Sequence, residues 1–183
     1  GSVYACRHMV MDKPCALKIL TGGLLNSEAW VRFQAEGKAL AKLNHPGIVC
    51  IYDMGIDAEY FPYLVMELLS GDNLDALLKR CGSVSVADAL DLCIQVAEAL
   101  GSAHQSGIIH RDVKPSNLML ILDETDNVKV KLVDFGIARL SKTSFARQTE
   151  TATGLIIGTP SYMSPEQCQG SKVDVRSDIY SLG

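Results

Sequence analysis

His110-Arg111-Asp112-Val113-Lys114-Pro115-Ser116-Asn117 puts a carboxylate, an ammonium group and a carboxamide on one short stretch. Asp134-Phe135-Gly136 adds a second carboxylate, seventeen residues after Asn117. These residue types can act together in one kind of chemistry. A carboxylate such as that of Asp112 can orient a hydroxyl group and accept its proton. The ammonium of Lys114 can stabilise charge on a moving phosphoryl group, and the oxygens of Asn117 and Asp134 are hard ligands suited to magnesium. The set is what phosphoryl transfer from ATP to a hydroxyl requires. Either triplet alone reads as loop punctuation; their order, separated by two short apolar runs, carries the information.

The elements that must position these groups can be read from periodicity. Leu118 to Leu122 and Val128 to Val133 read as two small strands that follow the first run and lead into the second. Upstream, Ser85-Val86-Ala87-Asp88 opens a long helix as a capping box, with apolar residues at Val86, Leu90, Cys93, Ile94, Ala97 and Leu100, and Gly107 ends it. Leu74 to Lys79 reads as a shorter helix. The first third is different in kind. Val3 to Cys6 and Cys15 to Leu20 read as strands around a turn at Asp12-Lys13-Pro14, and Ile48 to Tyr52 and Tyr63 to Glu67 as two more. A helix capped by Asn26 or Ser27 runs between them to about Leu43. A strand-rich first part, residues 1–69, and a helix-rich second part, residues 70–183, imply an α+β chain of two lobes with a cleft between them.

Bulk properties narrow the function classes. Of the 183 residues, 48% are apolar and 21% charged, which fits a globular chain and not a disordered one. The net charge of −4 gives no global reason for nucleic-acid or membrane-surface binding. No apolar run reaches membrane-spanning length, and no segment reads as a signal peptide, so a cytoplasmic location is expected, with any anchor lying elsewhere in a longer parent protein. The six cysteines form no CxxC pair and no zinc-ligand spacing with the four histidines; reduced thiols are expected.

Taken together, the motifs resemble those of the eukaryotic-type protein serine/threonine kinases, and the style of Gly107-Ile108-Ile109-His110-Arg111-Asp112-Val113-Lys114 is similar to bacterial members. The resemblance implies a bilobal protein-kinase-like fold and transfer of the γ-phosphoryl of Mg-ATP to serine or threonine of a protein substrate. It makes Asp112 the catalytic base, Lys114 its cationic partner, and Asn117 and Asp134 the magnesium positions. Ala16-Leu17-Lys18 matches the strand lysine that holds the α- and β-phosphates, and Glu36 matches the helix glutamate that orients it. Gly1-Ser2-Val3-Tyr4 resembles the tail of the glycine-rich phosphate loop. Val3, Ala16 and Met119 match the apolar groups around adenine, Met66 the back of that pocket, and Glu67 and Leu68 the segment whose backbone reads the adenine edge. Leu40, Ile51, His110 and Phe135 match an apolar column packed above Asp178, which holds the His-Arg-Asp backbone.

The same resemblance makes the segment from Asp134 to Glu166 an activation segment. Arg32, Arg111 and Arg139 match its phosphate-binding positions, Thr151 and Thr153 its phosphate acceptors, and Thr159 a threonine bonded to the catalytic aspartate and lysine. Autophosphorylation within a kinase homodimer is the implied route. A phosphate of charge about −2 would draw the arginines together. Glycine at position 37, beside Glu36, costs a helix about 1 kcal/mol and is expected to loosen it. The chain begins inside the phosphate loop and stops at a central helix of the second lobe. It therefore reads as part of a longer product, inactive by itself, with Glu166 a buried carboxylate lacking its usual arginine. Two rivals share the fold: a pseudokinase scaffold, which normally loses Lys18, Asp112 or Asp134, and a small-molecule phosphotransferase, which generally lacks Lys114.

Overall fold

The computed structural model describes residues 2–20, 27–57, 61–136 and 160–183, and the side chains of 30–40 within the first helix. The chain divides into two compact units. Among the described residues, the first takes in positions up to 44 and 49–69, and the second 45–48, 70–136 and 160–183.

In the first unit, β1 (Ser2–Arg7), β2 (Pro14–Ile19), β3 (Ile51–Ile56) and β4 (Pro62–Glu67) form an antiparallel sheet in the order β1-β2-β4-β3. Pro14 has no N–H to give a ladder and stands as the first residue of β2, where none is needed. The β1–β2 turn is closed by the His8 N–H donating to the Lys13 carbonyl at 2.8 Å, with Asp12 in the left-handed region at φ 52°. Cys15, Ala16, Leu64 and Met66 of the two central strands are buried. The helix α1 (Ser27–Leu40) packs on β3, burying Phe33 and Leu40. Gly37 accounts for that approach: a Cβ there would overlap the Met54 thioether of β3. The glycine that reads in sequence as a weakness of the helix is where the sheet comes closest to it. The helix also ends earlier than expected, since the N–H groups of Lys42 and Leu43 turn back to Ala39 and Leu40 in tighter three-residue bonds.

The third strand is displaced from the expected Ile48–Tyr52. Ile48 is bridged in parallel to Leu132 of the second unit's own sheet, and the strand of the first unit starts at Ile51. It then runs through Asp53 and Gly55, with a bulge between Ile51 and Asp53. An edge strand needs only one buried face, so its polar and glycine positions are tolerated.

The second unit holds β5 (Asp72–Asn73), α2 (Leu74–Cys81), α3 (Val86–Gln105), β6 (Leu118–Leu122), β7 (Val128–Leu132), α4 (Pro165–Cys168) and α5 (Val175–Leu182), with 3₁₀ turns at Pro115–Asn117 and Pro160–Tyr162. Its sheet runs β5-β6-β7. The two-residue β5 has no sequence period to reveal it. Asn73 pairs with Met119 and also caps α2, its side chain accepting the Ala76 N–H at 2.8 Å. The Ser85 hydroxyl oxygen likewise accepts the Asp88 N–H at the start of α3. Leu92, Val96, Ala99, Leu100 and Ala103 make the buried face of α3, against β7 and α5. The Gln95 amide extends that contact to the open edge of β7, accepting from Val130 N–H at 2.9 Å and donating to the Val128 carbonyl at 3.2 Å.

Candidate active site

The loop from His110 to Asn117 is built around a carboxylate that belongs to another element. Asp178, buried in α5, accepts the backbone N–H groups of His110 and Arg111, both at 2.8 Å, and a ring N–H of His104 at 2.7 Å. Arg111 stands in the left-handed region at φ 65°. A non-glycine residue there costs on the order of 1–3 kcal/mol. The bond to Asp178 on its N–H, and a Gln167 side-chain amide donating to its carbonyl at 2.8 Å, offset that cost. Gln167 is in turn held at the start of α4, where its amide oxygen accepts from the Ser164 backbone at 3.0 Å.

His110 is fully buried, with its ring against that of Phe135 at 4.5 Å between centroids. Its Nε2 lies 3.0 Å from the Val133 carbonyl, which can only accept, so Nε2 carries the proton. Its Nδ1 then accepts the Asp112 N–H at 3.3 Å. Burial pushes the imidazole below the ordinary histidine value, the nearby Asp178 pulling the other way, and burial wins. The histidine is a neutral strut between two loops.

The result of these fixings is a shared carboxylate. Lys114 Nζ lies 2.8 Å from Asp112 Oδ2, with each side chain about one-fifth exposed. The Asn117 amide donates to the same Oδ2 at 2.9 Å and to the Asp112 carbonyl at 2.7 Å. With that nitrogen committed, the Oδ1 of Asn117 is its atom for a cation. The Asn117 carbonyl accepts the Val133 N–H at 3.0 Å, which sets Asp134 one residue beyond, at φ 61°. The following turn is closed by Gly136 N–H donating to the His110 carbonyl at 2.9 Å. A Cβ on Gly136 would lie 3.1 Å from that carbonyl oxygen, tighter than a side chain normally tolerates.

Asp112, Lys114, Asn117 and the Asp134 turn are thus joined within one unit. The donor set of Asn117 and Asp134 fits magnesium, which is commonly held by one or two protein oxygens and completed by water and phosphate. Among the described residues no group of three His, Cys, Asp or Glu side chains is placed to hold a metal ion alone.

In the first unit, Lys18 stands on β2 directly opposite Val3 of β1 and Leu64 of β4, and Ala16 directly opposite Met66. Partners across an antiparallel pair share a face, so Val3, Ala16, Lys18 and Met66 lie on one side of the sheet. Glu36 and Arg32 lie on α1, and Glu67 and Leu68 at the end of β4, where the Glu67 N–H donates to the Cys50 carbonyl at 2.9 Å. Met119 lies in the second unit on β6, and Arg111 on the loop above. Gly1, Arg139, Thr151, Thr153 and Thr159 fall outside the described residues.

One expectation needs correcting. Glu166 is not a buried orphan: it is half-exposed at the start of α4 and accepts the Ser177 hydroxyl, which holds its carboxyl below the usual range. Two positioning residues, His104 and Gln167, escape sequence reading. Each makes its decisive bond to a residue far away along the chain, and nothing local marks either.

The protein kinase domain family matches residues 1–183. The chain is 39% identical to the serine/threonine-protein kinase pkn3 of Myxococcus xanthus, covering 100% of the chain and 34% of that protein. It is 40% identical to the serine/threonine-protein kinase PknB of Mycolicibacterium smegmatis, over 100% of the chain and 29% of that protein. The chain thus spans about a third of the length of these curated relatives. Among solved structures, the kinase domain of Mycobacterium tuberculosis PknI is similar with a TM-score of 0.76 and 30% identity, over 100% of this chain and 65% of that one. With a family match across its whole length, laid over a loop and turn built as described, the chain belongs to the protein kinase family.

Proposed function

We propose that the protein carrying this chain is a serine/threonine kinase that transfers the γ-phosphoryl group of ATP to protein hydroxyls. The observation that carries the reading is the Asp112 carboxylate held by Lys114 and Asn117, in a loop whose backbone is pinned by Asp178. A carboxylate fixed in this way can align a hydroxyl for in-line attack and take its proton, and Lys114 beside it can stabilise charge that develops on the transferred group. Asn117 and Asp134 would hold magnesium, which neutralises phosphate charge when bound. Lys18, oriented by Glu36, is assigned to the α- and β-phosphates. Val3, Ala16, Met66 and Met119 are assigned to the adenine, whose edge is read by the backbone at Glu67 and Leu68. Residues 1–69 and 70–183 are proposed as the two lobes of one kinase domain. Phosphorylation at Thr151 or Thr153, in trans within a homodimer, is proposed to act through Arg32, Arg111 and Arg139, with Thr159 completing the site.

The test is transfer from labelled ATP to a basic protein, set against a panel of small alcohols. Asp112→Asn in the full natural protein is expected to lower kcat by a factor of about 100 or more while the Kd for ATP changes little, because the carboxylate serves the acceptor and not the nucleotide. Near-normal turnover in that variant, or transfer to the alcohols alone, would overturn the assignment.

A further inference from the structure

Cys6 and Cys15 are direct partners across the β1–β2 pair, and their sulfurs lie 3.3 Å apart. The Cys6 thiol is also 3.4 Å from the Cys15 carbonyl. Cys15 is buried and Cys6 half-exposed. The other four cysteines, Cys50, Cys81, Cys93 and Cys168, are all exposed.

Three features of this pair bear on its chemistry. Antiparallel partners have Cα atoms about 4.5–5.5 Å apart, inside the roughly 4.4–6.8 Å that a disulfide spans. The sulfurs already touch, so a bond of about 2.0 Å needs a side-chain adjustment and no change of strand register. Access is graded: an oxidant can reach Cys6 from solvent, while Cys15 is buried with its sulfur against that of Cys6. That is the arrangement of an attacking thiol and a resolving thiol. The hydrogen bond it shares with Cys15 holds the Cys6 thiol above its ordinary range, so Cys6 rests protonated and reacts slowly.

We infer that Cys6 and Cys15 form a redox site, a dithiol that a hydroperoxide closes into a disulfide tying β1 to β2. The Cys6 sulfur, once deprotonated, attacks a peroxide oxygen; the O–O bond breaks and the other oxygen leaves as water or an alcohol. Cys6 is now a sulfenic acid. The Cys15 sulfur attacks the Cys6 sulfur, the S–O bond breaks, and hydroxide leaves with the Cys15 proton as water. Two thiols are oxidised by two electrons and one peroxide is reduced. A thiol such as glutathione reverses the bond by exchange. The site stands on the sheet face opposite Ala16 and Lys18, so closing it stiffens the hairpin without occupying that face. The inference is independent of the kinase activity.

The experiment uses the full natural protein, reduced, then exposed to rising hydrogen peroxide, quenched with a maleimide and digested with trypsin. Mass spectrometry is expected to find the peptide ending at Arg7 linked to His8–Lys18, since the Lys13–Pro14 bond resists trypsin. The link should vanish on treatment with dithiothreitol. Cys15→Ser should stall at a Cys6 sulfenic acid, trapped by dimedone. In the oxidised wild type the amides of Ser2–Arg7 should exchange about tenfold more slowly, because the strand can no longer open alone. Recovery of Cys6 and Cys15 as separate maleimide adducts, at peroxide levels that have already oxidised the four exposed cysteines, would overturn the inference. So would a link from Cys6 to a different cysteine.

Discussion

Asp178 and His104 are 74 residues apart, and Asp178 and Arg111 are 67 apart, yet one carboxylate serves them both. This is where the loop from His110 to Asn117 gets its shape. Asp178→Ala would strand the N–H groups of His110 and Arg111, and each unpaired buried donor costs about 1–3 kcal/mol. The expected outcome is a lower urea midpoint and a larger loss of turnover than of ATP affinity, because Arg111 no longer has its left-handed conformation enforced. His110 supplies a second test. Its folded value is depressed by burial, so the unfolded chain takes up a proton first as pH falls. The stability it contributes is complete above histidine's ordinary value of 6.5 and is lost as pH drops through and below it. The slope approaches about 1.4 kcal/mol per pH unit for one group. Thermal melts from pH 7.5 to 5.5 should show the decline; a flat profile would mean that burial does not depress the imidazole in the fold. That Asp112, Lys114 and Asn117 share one loop, with Asp134 on a turn of its own, was legible in the sequence, because the two motifs are short and contiguous. His104 and Gln167 were not, because their work is to hold backbone at a distance.

At the scale of elements, hydrophobic period and caps were sufficient for the extents of α2, α3, β6 and β7, but not for the buried face of α3, where of Val86, Leu90, Cys93, Ile94, Ala97 and Leu100 only Leu100 is buried. They failed for β3 and β5. Ile48 is apolar enough for the first sheet but pairs with Leu132, and only the three-dimensional arrangement decides between the two sheets. The two-residue β5 is fixed by Gly71, which precedes it at φ 146°, a conformation open to glycine. A Cβ there would run into the Leu120 backbone carbonyl. Gly71→Ala is therefore expected to destabilise by about 2 kcal/mol or more, since a backbone oxygen cannot step aside as a flexible side chain can. Chemical denaturation would read the loss directly. By contrast, Gly37→Ala meets only the end of the Met54 side chain and should cost less. Lys18 lies on β2 and Glu36 on α1. If they act as one oriented pair on ATP, a double-mutant cycle of Lys18→Met and Glu36→Gln should give nucleotide affinities that fall short of additivity.

For the whole molecule, the apolar residues of α3 divide into two faces. Leu92, Val96, Ala99, Leu100 and Ala103 are buried, whereas Leu90 and Ile94 are 60% and 58% exposed, and on α5 Ile179 and Tyr180 are 54% and 57% exposed. Exposed apolar stripes of this kind promote association. Residues 1–183 alone are expected to sediment as mixed oligomers and to bind a hydrophobic dye, and Leu90→Lys with Ile94→Lys should reduce both. A monodisperse, dye-silent wild-type chain would contradict this. No helix among the described residues is long and apolar enough to cross a membrane. The sequence by itself determined the family, because the His-Arg-Asp and Asp-Phe-Gly motifs and the strand lysine stand in a recognisable order along the chain. It also determined most helix and strand identities, because those follow from local periodicity and capping. Only the tertiary structure decided how the loop is held, which sheet takes Ile48, and that Cys6 faces Cys15. The first two depend on residues brought together from distant parts of the chain, which leave no local pattern to read, and the third on the exact register of a hairpin, which periodicity alone does not fix.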